Sequence, residues 1–301
     1  MNLQQLLTFS TVINEGSMTA AAEKLFLTQP AVSQQIRNLE EELGVNLLMR
    51  GTRNARATTQ GQLLFDYAKR IIALTQQAQI AIQTMGEGMQ GHLRVGTLNS
   101  LGMYLISPLI GSFLKYNSKL SIQLVYEDGE EVWRAFKAGE LDIAILPDVS
   151  KELGIDTSEY EVRSVLRDEM WLVASSKDVA VPSSISLRDI NSRPLVKFTE
   201  RYFGFDKMIK TEAERQNAKL KPVFESNNVG TVKRVIESGL GWGFLPAHSI
   251  RKQVRAGRMT AVEVENFKFE VPVMLYMRKN DTNAQIHEVF YTAMKPPVGA
   301  S

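Results

Sequence analysis

Cysteine is absent from the 301 residues. That excludes disulfides, thiolate nucleophiles, cysteine-ligated zinc and sensing of oxidants through a thiol. Histidine is scarce: His92, His248 and His287 are dispersed, with no pair at metal-ligand spacing. Each reads as a surface or structural residue, and no metal site or catalytic constellation is expected. A Walker A loop is missing as well. Gly239, Gly241 and Gly243 precede Phe-Leu-Pro rather than opening a helix, so they read as a tight turn and not as a nucleotide loop. No apolar run approaches the ~20 residues of a membrane span. The first residues lack the charged and apolar regions of an export signal, so a cytoplasmic, non-membrane protein is expected. An excess of charge is missing too: 35 basic residues stand against 33 acidic, a net +2. A chain-wide polycation is thereby excluded, while a local basic patch is not. What remains is an ordinary globular composition, 44% hydrophobic and 23% charged, in a length that predicts two or more domains.

The first 58 residues read as compact and helical. Leu3, Leu6, Leu7, Phe9, Val12 and Ile13 follow a helical period that stops at Gly16, with Ser17 as the next cap. A short helix from Met18 to Leu25 carries Ala20, Ala21 and Ala22, small enough for close helix approach. Thr28 caps a third helix, which holds Pro30 in its first turn and ends at Gly44. At ~100° per residue, Ser33, Gln34 and Arg37 lie within about 60° of Pro30, opposite Val32, Ile36, Leu39 and Leu43. One face is thus apolar, and the other offers groups that hydrogen-bond base edges or phosphate. Any surface helix has a polar face, so the angles alone leave DNA binding open. The parts that follow strengthen it. A short helix, a turn and a second helix form a helix-turn-helix. Val45–Arg50 and Ala55–Thr58 then read as the strands of a wing, with Gly51–Asn54 as the turn. Arg50, Arg53 and Arg56 lie on or beside its turn, with no acid between Glu42 and Asp66, which suits phosphates or a narrow minor groove.

From Thr58 to about Gln90 one long helix is predicted. Leu64, Ile71, Ala78 and Met85 recur every seven residues, with Tyr67, Leu74 and Ala81 between them, the seam of a dimerising coiled coil. The alternative is a long helix packed on its own domain. After Gly86, Gly88 and Gly91, strands and helices alternate to the C-terminus. That indicates an α/β architecture with largely parallel sheets, and some 210 residues suit two lobes.

The run from Phe9 to Gly61, with AAEKLFLTQPAVSQQIRNLEEELGVNLLMR and then TTQG, resembles the DNA-binding domain of LysR-type transcriptional regulators. The likeness extends through Gly139-Glu140-Leu141-Asp142-Ile143-Ala144 and Gly239-Leu240-Gly241-Trp242-Gly243-Phe244-Leu245-Pro246. It implies an α+β multidomain protein: an N-terminal winged helix-turn-helix (1–58), a long linker helix (59–90) and a C-terminal two-lobed α/β effector domain like periplasmic binding proteins (91–301). Lobe I would comprise about 92–165 and 269–301, and lobe II about 166–268. The resemblance implies a sequence-specific regulator and not an enzyme. Its partners would be double-stranded promoter DNA, a small-molecule co-inducer, further copies of itself as dimer and tetramer, and RNA polymerase. No cofactor is expected. Gln29, Pro30, Ser33 and Gln34 would face bases or backbone, and Arg53 the minor groove. Many relatives carry a basic or hydroxyl residue where Gln34 stands, which implies a different base preference here.

The same resemblance places the effector between the lobes, at strand ends and helix starts. Thr97, Asn99 and Ser100 would line one side, Ser100 doubling as a helix cap. Gly129 stands where relatives often have Ser or Thr, flanked by Glu127, Asp128 and Glu130. This puts a simple carboxylate-clamping pocket in doubt. Thr199 and Phe203, in an aromatic cluster with Phe198, Tyr202 and Phe205, would cover a ligand or pack the lobes. Asn228 and Phe244 are weaker candidates. The competing reading is a solute-binding or enzymatic α/β protein whose N-terminal helices only mediate oligomerisation. It finds neither an export signal nor a catalytic constellation.

Overall fold

The computed structural model describes residues 1–49, 55–83, 90–148, 150, 154–178, 181–202, 204–279 and 284–294. The chain divides into two compact units, Met1–Gly88 with Val289–Ser301, and Met89–Glu288.

In the first unit, α1 (Leu3–Glu15) starts on an Asn2–Gln5 capping box and ends at Gly16, whose positive φ closes the last turn. Ser17 caps α2 (Met18–Leu25), and Thr28 caps α3 (Gln29–Leu43). The tight turn between α2 and α3 places Phe26 at φ 54, with its ring 84% exposed. Phe9, Val12, Ala21, Ala22, Leu25, Val32, Ile36, Leu39, Leu47 and Phe65 form one core. Each large side chain among them contributes roughly 1.5–3 kcal/mol by leaving water. Leu43, expected on the buried face, is exposed instead, because the core ends one turn earlier at Leu39. Among the described residues the two limbs of the wing meet at a single bridge. Leu48 bridges Ala57 antiparallel, with the Met49 N–H on the Arg56 carbonyl at 2.8 Å and the Thr58 N–H on that of Leu47 at 2.9 Å. Thr58 caps α4 (Thr59–Gln83) by accepting from the Gly61 N–H at 3.0 Å. At Gly61 the helix runs so close to the wing that a Cβ would lie 2.0 Å from the Leu47 carbonyl oxygen. Of the expected seam, Tyr67, Ile71, Leu74 and Ala78 are exposed. Met85, Gly86 and Gly88 lie outside the described residues. Gln90, expected to end the long helix, already belongs to the first strand of the second unit.

The second unit opens with β1 (Gln90–Thr97), followed by α5 (Asn99–Leu101), a π-helical stretch at Gly102–Ile106 and α6 (Ser107–Tyr116). By periodicity alone 101–116 reads as one helix. Pro108 supplies no N–H to the ladder, and the wider π turn precedes it. Next come β2 (Lys119–Tyr126), α7 (Gly129–Ala138) and β3 (Ile143–Pro147). A long β4 (Tyr160–Ser175), β5 (Ser184–Ile185), α8 (Leu187–Ile190), β6 (Leu195–Phe198) and α9 (Phe205–Arg215) follow. The chain continues with β7 (Pro222–Ser226), α10 (Val229–Glu237), β8 (Gly243–Pro246) and α11 (Ala247–Arg255). It then passes through β9 (Met259–Val264) and β10 (Glu270–Arg278) to α12 (Ala284–Met294), of which the residues from Val289 on group with the first unit.

The strands run β2-β1-β3-β10-β4-β9-β5, with β8 also on β4 and β6-β7 as a separate pair. The sheet is mixed, which corrects the expectation of largely parallel strands. β10 runs antiparallel to β3 and β4, and β8 and β9 run antiparallel to β4. β4 is shared: Tyr160–Glu169 pair with β10, and Met170–Ser175 pair with β8 and β9. One continuous strand therefore passes from the first lobe into the second. Arg94 and Asp142 lock the first lobe, with the guanidinium on the carboxylate at 2.8 Å and the Arg94 N–H on it at 2.7 Å. Burial pushes the Asp142 carboxyl up, but these Arg94 bonds outweigh it and hold it below the usual carboxylate range.

Candidate nucleic-acid interface and effector cleft

The sequence of α3 separates its faces sharply. Val32, Ile36 and Leu39 are buried, while Gln29, Pro30, Gln34 and Arg37 are exposed and Ser33 is half-buried. Thr28 caps the helix from an exposed position, accepting from the Ala31 N–H at 3.4 Å. The polar side chains bond weakly to one another, Arg37 to Ser33 at 3.3 Å and Gln34 to Asn38 at 2.7 Å. Water-exposed bonds of this kind exchange readily for a base edge or phosphate. Beneath them, Thr8 of α1 donates to Gln35 at 2.6 Å and fixes the helix in its bed. Arg56 is exposed beside the wing. Arg50 and Arg53 lie outside the described residues. Glu40 stands in the acidic run at the far end of α3, and its carboxylate accepts from the Leu47 and Leu48 N–H groups at 2.6 and 3.1 Å. It thus ties the wing to α3. Nothing local in the sequence signals this role.

In the second unit, a cluster forms where β1 turns into α5. Ser100 is fully buried. Its N–H donates to Glu200 at 3.0 Å, its hydroxyl donates to the other Glu200 oxygen, and the Tyr202 hydroxyl lies 3.1 Å away. Glu200 is 7% exposed and follows β6 in the second lobe. Burial pushes its carboxyl above the ordinary range, against the Ser100 and Asn99 hydrogen bonds and the neighbouring His248, all of which favour the charged form. Burial also pushes the Tyr202 hydroxyl well up, helped by the charges of Asp168 and Glu200. Asp168 of β4 accepts from the His248 N–H at 3.2 Å and pairs with His248 Nδ1 at 2.7 Å. His248 Nε2 and Asn99 Oδ1 are buried without a hydrogen-bond partner among the described residues. Nearby in sequence, Arg201 reaches Glu130 of α7 at 3.0 Å. The residues just after β6 therefore grip the first lobe twice.

The expected cleft residues divide. Ser100 and Asn99 stand at this junction, and Tyr202 joins them. Thr97 is fully buried and donates to the Ile145 carbonyl at 2.8 Å, so it pins β1 to β3. Gly129 is buried at the first turn of α7. Thr199 is half-buried, its N–H on the Ser226 carbonyl at 3.0 Å. Asn228 is exposed and caps α10 through the Thr231 N–H at 3.0 Å. Phe203 lies outside the described residues. Phe244 belongs to a different site, where it packs on Phe205 at 5.4 Å and on Phe267 at 6.1 Å. With Phe198, Ile209 and Leu220 it lines a cavity of about 480 Å³ inside the second lobe, between β6–β7 and α9. The aromatic run thus splits, Tyr202 to the junction and Phe205 to this cavity. Lys233 of α10 was not anticipated. It is 4% exposed, donates to the Ser249 carbonyl at 2.6 Å and sits 3.9 Å over the Tyr104 ring. Burial lowers its amine from 10.5 to about 8.

A recognition helix with a wing on one unit, and a two-lobed mixed sheet gripped at its junction on the other, define a ligand-responsive DNA-binding protein. Residues 3–62 match the family model "Bacterial regulatory helix-turn-helix protein, lysR family", and residues 86–296 match "LysR substrate binding domain". The chain belongs to the LysR family of transcriptional regulators, which bind DNA and are modulated by small molecules held in the C-terminal lobes. It is 28% identical over 293 residues to the "Probable RuBisCO transcriptional regulator" of Cyanidium caldarium, covering 96% of this chain and 91% of that one. It is 26% identical to "HTH-type transcriptional regulator CysL" of Bacillus subtilis, covering 96% and 95%. Among solved structures, CrgA of Neisseria meningitidis superposes with a TM-score of 0.57 at 24% identity, covering 97% of this chain and 98% of that one. Full-length CbnR complexed with its target DNA superposes with a TM-score of 0.51 at 20% identity, covering 97% and 99%. No helix of the described residues is long and apolar enough to cross a membrane, and no cluster of acidic residues and histidine among them could hold a metal ion.

Proposed function

We propose that α3 reads the major groove with Gln29, Ser33, Gln34 and Arg37, while Thr28 and Pro30 set its start against the backbone and Arg50, Arg53 and Arg56 neutralise phosphates from the wing. The observation that carries this is the division of α3, apolar face buried and hydrogen-bonding face in water. The exposed row Tyr67, Ile71 and Leu74 on α4 supports a dimer paired through that helix, and dimers of dimers would engage two separated sites on promoter DNA. Contact with RNA polymerase would follow from that position on the promoter. Residues 1–58, 59–90 and 91–301 would then serve DNA reading, pairing and sensing. Asn99, Ser100, Gly129, Thr199 and Asn228 would border the effector between lobes of about 92–165 with 269–301, and 166–268.

A gel shift on a partly palindromic promoter site tests the reading. Arg56→Ala should weaken binding to all sequences and reduce the salt slope by about 1, and Gln34→Ala should alter which bases are preferred. If the wild-type protein shows no preference over competitor DNA, the reading fails.

A further inference from the structure

Most of the junction's donors converge on one carboxylate, and that carboxylate is the protein's own. The Ser100 N–H and hydroxyl take the two oxygens of Glu200, the Asn99 N–H adds to them, and the Tyr202 hydroxyl closes the other side of Ser100. This is a seat shaped for a carboxylate and already filled. The surrounding charge opposes a second one. Asp168 is 1% exposed and lies on the same network, so two buried acids share the site with His248 as the nearby base. Arg201 is engaged with Glu130, and Lys233 with Ser249 and the Tyr104 ring. A further carboxylate would therefore meet like charge in a low-dielectric setting without a free cation among these groups. What is left open is an acceptor: Asn99 Oδ1 is buried and unpartnered, and a donor on the ligand would satisfy it.

We propose that Glu200 determines the effector specificity of this cleft: its side chain occupies the carboxylate seat at Ser100, so the protein is closed to simple carboxylates and answers to a small molecule that presents an N–H or O–H donor instead. This rests on reading the interlobe junction as the effector site.

Formate is the probe, and the thermal unfolding of the full-length protein the readout, against chloride at matched ionic strength. In Glu200→Ala the vacated seat should take formate, giving a saturable rise in Tm with an apparent affinity at least ~10-fold tighter than in the wild type. Adding Ser100→Ala to that variant should abolish the rise. The wild type and Glu200→Gln, whose seats remain filled, should respond to formate no more than to chloride. A saturable formate response in the wild type or in Glu200→Gln overturns the proposal, and this arm stands even if the alanine variant does not fold. A folded Glu200→Ala protein indifferent to formate overturns it as well. Gel shifts of the same proteins test the regulator reading separately, because DNA binding can fail while the formate responses stand, and the reverse.

Discussion

Lys233→Met should leave the C-terminal unit about as stable at neutral pH, although it removes a hydrogen bond and a ring contact. A lysine whose amine falls from 10.5 to about 8 on burial costs the folded state roughly 3 kcal/mol while charged. Methionine keeps the apolar stem in a site that is 4% exposed and removes that cost. Against this stand the charged bond to the Ser249 carbonyl, worth about 1.5–3 kcal/mol, and the cation–ring contact with Tyr104, worth about 0.5–1 kcal/mol. The terms nearly cancel, so the net expectation at pH 7 is a change within about 1 kcal/mol of zero. The pH dependence gives a second, sharper signature. Below pH 8 the amine is charged in both folded and unfolded chains, and the wild type carries the full cost. Between 8 and 10.5 the unfolded chain holds its proton and the folded one does not, so wild-type stability rises relative to the variant. By pH 10 most of the cost is gone, and the wild type should be the more stable of the two. Urea unfolding followed by tryptophan fluorescence suits the test, because Trp133, Trp171 and Trp242 all belong to this unit. A variant less stable at pH 7 by 2 kcal/mol or more, or a gap unchanged from pH 7 to 10, would refute the reasoning.

Gly61→Ala should destabilise the N-terminal unit by ~2 kcal/mol or more, because its Cβ would meet a backbone oxygen at 2.0 Å and wing and helix must part. A loss of DNA binding in gel shifts with an unchanged tryptophan unfolding curve checks it. Glu40→Ala leaves the Leu47 and Leu48 N–H groups without their acceptor and should cost about 1–3 kcal/mol. DNA affinity should fall as the wing loosens while its salt slope stays that of the wild type, since no phosphate contact is removed. A changed slope would instead make Glu40 part of the interface.

What the sequence by itself determined is local. Capping residues at Ser17 and Thr28 and glycines at 16 and 44 bound the first three helices, and the period of Val32, Ile36 and Leu39 told which face of α3 meets water. Those signals act within a few residues, so a single chain displays them. The alternation of strands and helices likewise carried the two-lobed architecture. The first half of β4 escaped, because it interleaves Glu161, Arg163 and Arg167 with Val162 and Val165 and gains its order from β10, a hundred residues on. Its antiparallel pairing made the sheet mixed. Only the tertiary structure decided the contents of the cleft. Ser100 was legible as a polar residue at a strand end. That Glu200 fills its hydrogen bonds from the other lobe, that Phe244 lines a cavity elsewhere, and that Glu40 holds the wing all depend on contacts between distant segments. Periodicity cannot report such contacts: it shows which face of an element turns inward, and the packing of the whole chain selects what that face meets.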